Sequence, residues 1–330
     1  MKFNRLFLLL CIGCFAAVVP SCKKKDQEHG NPLPYLKGKL KLTTEIPLYV
    51  RKGEVYEIEP TGISKPDGGD VGYFWMLSTK KVVRDTVKKE GASGTGKFRF
   101  VVPDTLATMS LTCTAFAKGY SNSSASIKFT IVDPDKSVTN TSISSLPFEK
   151  DARDGKKVYY VTVGDKQWTA KNIAFEGMGK PYLSEKAMTD VFGMYYTFEE
   201  AKNACPAGWH LPSLDEWKSL LRFVKPDYEF KGTAGALMGD AYFNGMKMWE
   251  FQPSVKITNL TGLNALPVGY AIVQKGGYLF KGSLDYAAFW TSDERNNGQG
   301  IYIYINSNQP NVMQNAAGGN VFATSVRCVR

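Results

Sequence analysis

The sequence predicts two domains, an all-β sandwich followed by an α+β domain. Three observations carry this. The chain has 330 residues, 43% of them apolar, which is enough for two cores at about 150 residues each. From about residue 35 to residue 133 the apolar residues alternate with polar ones between turn signals, and no stretch has a helical period. Beyond residue 148 two helix starts appear, each stopped by a proline.

The first residues read as a targeting segment. Lys2 and Arg5 precede the apolar run Leu6 to Val19, which suits a signal peptide better than a span of about 20 residues. The run closes on Val19-Pro20-Ser21-Cys22, then Lys23-Lys24-Lys25. This is similar to the lipobox of bacterial lipoproteins, although Pro20 departs from the usual small residue. The resemblance implies removal of residues 1–21, lipid attachment at Cys22 and a membrane partner through that anchor. Cys14 is a poorer candidate, because cleavage there would expose Phe15 to Val19. An ordinary cleaved secretory signal is the alternative. Lys25-Asp26-Gln27-Glu28 is similar to the charged export tags of Bacteroidota lipoproteins, which implies the outer membrane and display at the cell surface.

Residues 22–34 are polar, with Gly30, Pro32 and Pro34, and read as a tether. In the 35–133 domain Ile127, Phe129 and Ile131 alternate with polar residues. Phe98, Phe100 and Val102 do the same, and Leu111, Cys113, Ala115 and Ala117 line one face of another strand. Tyr73-Phe74-Trp75 supplies a central strand with a buried tryptophan. Short strands at this spacing suggest a sandwich, and the whole stretch resembles immunoglobulin-like or PKD-like modules. Cys113 has no partner cysteine in this domain and reads as a small buried hydrophobe. Residues 134–148, rich in Ser and Thr behind Pro134, read as a linker.

In the second domain a hairpin is expected about Gly164-Asp165. Thr197 with Glu200, and Ser213 with Glu216, fit capping boxes. The first helix must stop near Cys205, before Pro206. In the second, Trp217, Leu220, Leu221 and Val224 form one apolar stripe, and Pro226 ends it. The remainder to residue 330 is aromatic, Gly-rich β structure.

Composition excludes several functions. The net charge of +10 is spread along the chain, with no basic and aromatic interleaving of the kind that tracks nucleic acid. Two histidines, His29 and His210, cannot build a His-rich metal centre. No phosphate-binding, dinucleotide or nucleophile-elbow motif is present. A non-enzymatic protein without a cofactor is expected.

Several runs within 149–330 carry a specific resemblance. They are Asp151 to Gly155, Val163 to Asn172 (ending Trp168-Thr169-Ala170-Lys171-Asn172), and Ala201 to Ser213 (with Cys205-Pro206-Ala207-Gly208-Trp209-His210-Leu211-Pro212). Ala265 to Tyr270, Phe289 to Glu294 and Ser325 to Arg330 follow in order. Together they resemble the Fibrobacter succinogenes major paralogous domain, and this implies a C-type lectin-like fold. That fold ties a cysteine at the end of its first helix to one on its last strand, which here implies a Cys205–Cys328 disulfide; two free buried thiols are the alternative. Such lectins often hold sugar through calcium. Gln309-Pro310-Asn311 superficially fits part of that motif, but no Trp-Asn-Asp follows and carboxylates are few, so the tripeptide reads as a hairpin turn. The related formylglycine-generating enzymes need reactive cysteines. That makes an enzyme of the sulfatase-modifying kind the least favoured reading.

One surface stands out. In Ile301-Tyr302-Ile303-Tyr304-Ile305 the isoleucines and tyrosines take opposite faces. With the isoleucines inward, Tyr302 and Tyr304 are expected outward, near Asn306, Asn308, Gln309, Asn311, Gln314 and Asn315. Tyrosines with amides make adaptable recognition surfaces, so these eight residues are the candidate site for a glycan or protein ligand. A solvated hairpin with cross-strand tyrosine packing is the alternative. The expectation is a surface lipoprotein presenting a lectin-like adhesion head on a sandwich stalk. An accessory or tip subunit of a cell-surface appendage is the runner-up.

Overall fold

The computed structural model describes residues 32–79, 89–92, 96–141, 143–226, 232–296 and 298–330. The expected signal segment, Cys22 and most of the tether lie outside the described residues. Among the described residues no helix is long and apolar enough to cross a membrane.

The chain is mostly β strand with few helices. Near the N-terminus, the alternating runs Thr108–Phe116 and Ser123–Val132 pair antiparallel in the middle of a five-stranded sheet. Gly72–Thr79 and then Lys89–Ala92 extend it on one side. Tyr49–Arg51 closes the other side, parallel to Ser123–Val132. Two antiparallel ladders complete this half: Lys37–Leu42 with Pro60–Ser64, and Val55–Ile58 with Phe98–Val101. Trp75, Leu111, Cys113, Phe129 and Ile131 of the sheet share one apolar cluster with Leu40, Ile58 and Phe100 of the ladders. Trp75 is buried, and its Nε1 donates to Gly96 O at 3.0 Å, so burying the indole strands no donor.

In the C-terminal half, Lys157–Val163 and Lys166–Thr169 form the expected hairpin about Gly164-Asp165, with Gly164 at φ +65°. Both capping boxes are present, at Thr197 with Glu200 and Ser213 with Glu216. The first helix is only Phe198–Ala201. Asn203 N then bonds Glu200 O at 3.1 Å and Ala204 N bonds Ala201 O at 3.2 Å, tighter turns that bring Cys205 out of the helix ahead of Pro206. The second helix, Leu214–Val224, buries Trp217, Leu220 and Leu221 and ends before Pro226. Tyr286–Glu294, Gln299–Asn306 and Met313–Gly318 make an antiparallel sheet. Phe289, Ile303 and Ile305 on one face join Trp168 and Trp217. Trp290 and Tyr302 on the other join Phe198 and Phe322.

Residues 134–148 are not a free spacer. Val138–Thr139 pairs with Tyr242–Phe243, and Ser137 and Thr141 are buried. Val132 shares a cluster with Met188, Phe192, Tyr195 and Phe243, and Tyr49 packs against it. Leu48 N donates to Glu185 Oε1 at 3.0 Å, and Arg51 pairs with Asp190 at 3.0 Å. The two halves are therefore docked, which corrects the picture of cores separated by a linker. The Ser/Thr-rich composition reports a segment poor in apolar side chains, but it is silent about backbone groups that find partners far away in the sequence.

Candidate functional site: a tyrosine face beside an amide-rich hairpin

Antiparallel cross-strand pairs share a face. The register pairs Trp290 with Tyr302, Ala288 with Tyr304 and Tyr286 with Asn306. On the other edge Tyr302 faces Asn315 and Tyr304 faces Met313. The isoleucine side is core as expected, with Ile303 and Ile305 at 0% exposure. The expectation that Tyr302 is displayed outward is wrong. Tyr302 is 7% exposed, stacked on Phe322 at 4.7 Å and set edge-on to Trp290 at 5.7 Å. The reason is tertiary: the sheet is covered on both faces, and Phe322 arrives from a distant strand.

Tyr304 is half-buried. It stacks on Tyr286 at 5.0 Å, and Tyr286 meets Tyr270 edge-on at 5.2 Å. Tyr270 and Tyr286 are also half-buried. Burial, and then neighbouring phenols, pushes Tyr286 well above the usual tyrosine range, so it stays a neutral hydroxyl at any physiological pH. The aromatic ledge is thus Tyr270, Tyr286 and Tyr304, with Met313 at its edge. Tyr286 escaped the sequence reading because only strand register places it beside Tyr304, and Tyr270 because it reaches Tyr286 from a different sheet.

The six amides divide. Asn306 and Asn311 hold the hairpin: Asn306 Oδ1 accepts Asn308 N at 3.1 Å, and Asn311 Oδ1 accepts Gly232 N at 2.8 Å. The Gln309-Pro310-Asn311 turn is further tied by Pro310 O, which accepts Ala234 N at 3.1 Å. Asn308, Gln309, Gln314 and Asn315 are exposed. Asn315 Oδ1 also accepts Ala316 N at 2.8 Å. Gln314 lies on the isoleucine face by register, so the ledge itself adjoins Asn306 and Asn315. Among the described residues no group of three His, Cys, Asp or Glu side chains could hold a metal ion.

The Cys205–Cys328 disulfide is formed, with Cα atoms 5.8 Å apart, and Cys113 is a buried free thiol. His210 Nε2 lies 2.9 Å from Glu216 Oε1, so it supports the helix cap. Asp293 Oδ2 accepts Leu214 N at 2.6 Å, while Glu294 approaches Lys202 at 3.6 Å; these adjacent carboxylates do separate roles. The last run also buries Arg327, 1% exposed. Its Nε donates to Asn172 Oδ1 at 2.8 Å, and its other nitrogens reach the carbonyls of Thr169, Leu263 and Asn264.

Together these features define a β-rich protein whose C-terminal half is closed on itself by one disulfide and one buried arginine. Residues 161–330 match the Fibrobacter succinogenes major domain, and the chain belongs to that family. No curated protein matches the chain. Among solved structures, Spo0M, a sporulation control protein from Bacillus subtilis, is similar at 10% identity with a TM-score of 0.19. That match covers 41% of this chain and 78% of Spo0M, and a likeness at this level carries no argument.

Proposed function

We propose that the chain is a surface-exposed, non-enzymatic outer-membrane lipoprotein anchored through Cys22. In this reading an immunoglobulin- or PKD-like sandwich carries a C-type lectin-like head, which binds a glycan or protein on its tyrosine ledge. The parallel pairing of Tyr49–Arg51 with Ser123–Val132 and the buried Trp75 support the sandwich assignment. The observation that carries the binding proposal is the half-buried Tyr286–Tyr304 stack beside Met313 and Asn315. An aromatic plane next to amide groups offers sugars a stacking surface and hydrogen bonds together. Because the halves are docked, the sandwich would hold the head in a fixed attitude above the membrane.

A glycan array probed with residues 23–330 tests the binding claim. Binding is expected and should be lost in Tyr304→Ala; retained binding in that variant removes the ledge assignment. Protease treatment of intact cells tests display. A chain protected until lysis removes the surface claim.

A further inference from the structure

A second cleft, unrelated to the tyrosine ledge, lies between the 134–144 segment and the C-terminal half. It encloses about 500 Å³, which is room for a ligand of monosaccharide size. Its lining carries three cations, Lys157, Lys171 and Arg327, and one acid, Asp135. Among the described residues none of the three has a carboxylate within ion-pair distance; Lys157 is exposed, while Lys171 and Arg327 are sheltered. Lys171 Nζ donates to the Asp190 carbonyl at 3.2 Å, but the Asp190 carboxylate is taken by Arg51 at 3.0 Å and Lys156 at 2.9 Å. Arg327 spends its bonds on neutral acceptors, the Asn172 amide oxygen and three carbonyls. A sheltered cation with no counter-charge in contact is costly, and an anion in the cleft beside Lys171 offsets that cost.

We propose that this cleft binds a small carboxylate-bearing polyhydroxy ligand of the uronic acid class. Its carboxylate would sit at Lys171, within the field of Arg327, with its hydroxyls toward Thr139, Thr141 and Tyr159, which line the same cleft. Asp135 on the same lining favours a monoanion over a phosphate dianion. The occupant bridges the 134–144 segment and the C-terminal half, so binding also fastens the docked arrangement.

Calorimetric titration of residues 23–330 with glucuronate, glucose and inorganic phosphate tests this. Glucuronate should bind and raise the melting temperature, while glucose and phosphate should bind at least about tenfold more weakly. Lys171→Met keeps the aliphatic stem and should weaken glucuronate about tenfold or more, the loss of one charged hydrogen bond. Asp135→Asn should act oppositely and tighten it. The melting curve of each variant without ligand reports whether it is folded. Equal binding of all three probes, no glucuronate binding to the folded wild-type chain, or unchanged glucuronate affinity in both folded variants would overturn the proposal.

Discussion

Arg327 Nε donates to Asn172 Oδ1 at 2.8 Å, and through this contact the end of the chain grips the segment that follows the 157–169 hairpin. Asn172 in turn donates to Phe192 O at 2.9 Å and Ser325 Oγ at 3.1 Å. Burial pushes the guanidinium pKa down to about 9, so it remains a cation at neutral pH. It closes the domain by hydrogen bonding rather than by ion pairing. Arg327→Met should orphan three buried carbonyls and cost about 3 kcal/mol or more. Asn172→Ala should cost about 2 kcal/mol. Urea unfolding of each variant measures both, and a loss below about 1 kcal/mol for Arg327→Met would show that the carbonyls are satisfied otherwise.

On the tyrosine strand a packing residue and a residue of the proposed binding ledge lie two positions apart. Tyr302→Ala should cost about 3–5 kcal/mol, as for other large core aromatics. Tyr304→Ala, at the half-buried end of the ledge, should cost clearly less while removing ligand binding. Thermal melts paired with the array readout distinguish the two, and equal destabilisation would place Tyr304 in the core.

The disulfide closes a separation of 123 residues. In the chain-entropy account this contributes about 4–5 kcal/mol. Non-reducing peptide mapping should recover Cys205 joined to Cys328. Cys113 should resist alkylation until unfolding, because burial both shields its thiol and pushes its pKa up to about 12. Since Val132 shares a cluster with Met188 and Phe243, Cys328→Ala should lower the stability of both halves in one calorimetric transition. Two resolved transitions would mean that this shared cluster does not couple them.

Glu216 gives a pH signature. Burial acts to raise its pKa. The Ser213 N–H, His210 and Lys166 outweigh that and hold it below the usual carboxylate value. A depressed folded-state pKa contributes stability above the unfolded value, near 4.5, and loses it as pH falls through the folded one. Glu216→Gln retains a capping side chain but not the charge. Its stability deficit at neutral pH should shrink steadily below pH 4.5. A deficit independent of pH would show that the charge contributes nothing.

Glycine at position 269 is also required by geometry. It sits at φ +77°, and an added Cβ would lie 2.0 Å from the Lys281 carbonyl oxygen. The oxygen is a backbone atom and the backbone fixes where a Cβ sits, so no rotamer relieves the contact. Gly269→Ala should cost about 3 kcal/mol or more, measurable by denaturant unfolding.

The local elements were legible in the sequence because their causes are local. Thr197 and Ser213 cap helices using groups three residues away, Pro206 and Pro226 forbid continuation, and alternation in Leu111 to Ala117 and Ile127 to Ile131 writes strands directly. The family runs also pointed to the pairing of Cys205 with Cys328. What the tertiary structure alone decided lies in contacts between distant segments. Phe322 covers Tyr302, strand register brings Tyr286 to Tyr304, and packing between two sheets sets Tyr270 against Tyr286. The polar 134–148 segment finds its partners near Tyr242 and joins the two halves. A residue's own neighbours in sequence set its backbone preference and its face, but whether that face meets solvent depends on what packs over it, and those atoms come from positions that alternation and capping do not encode.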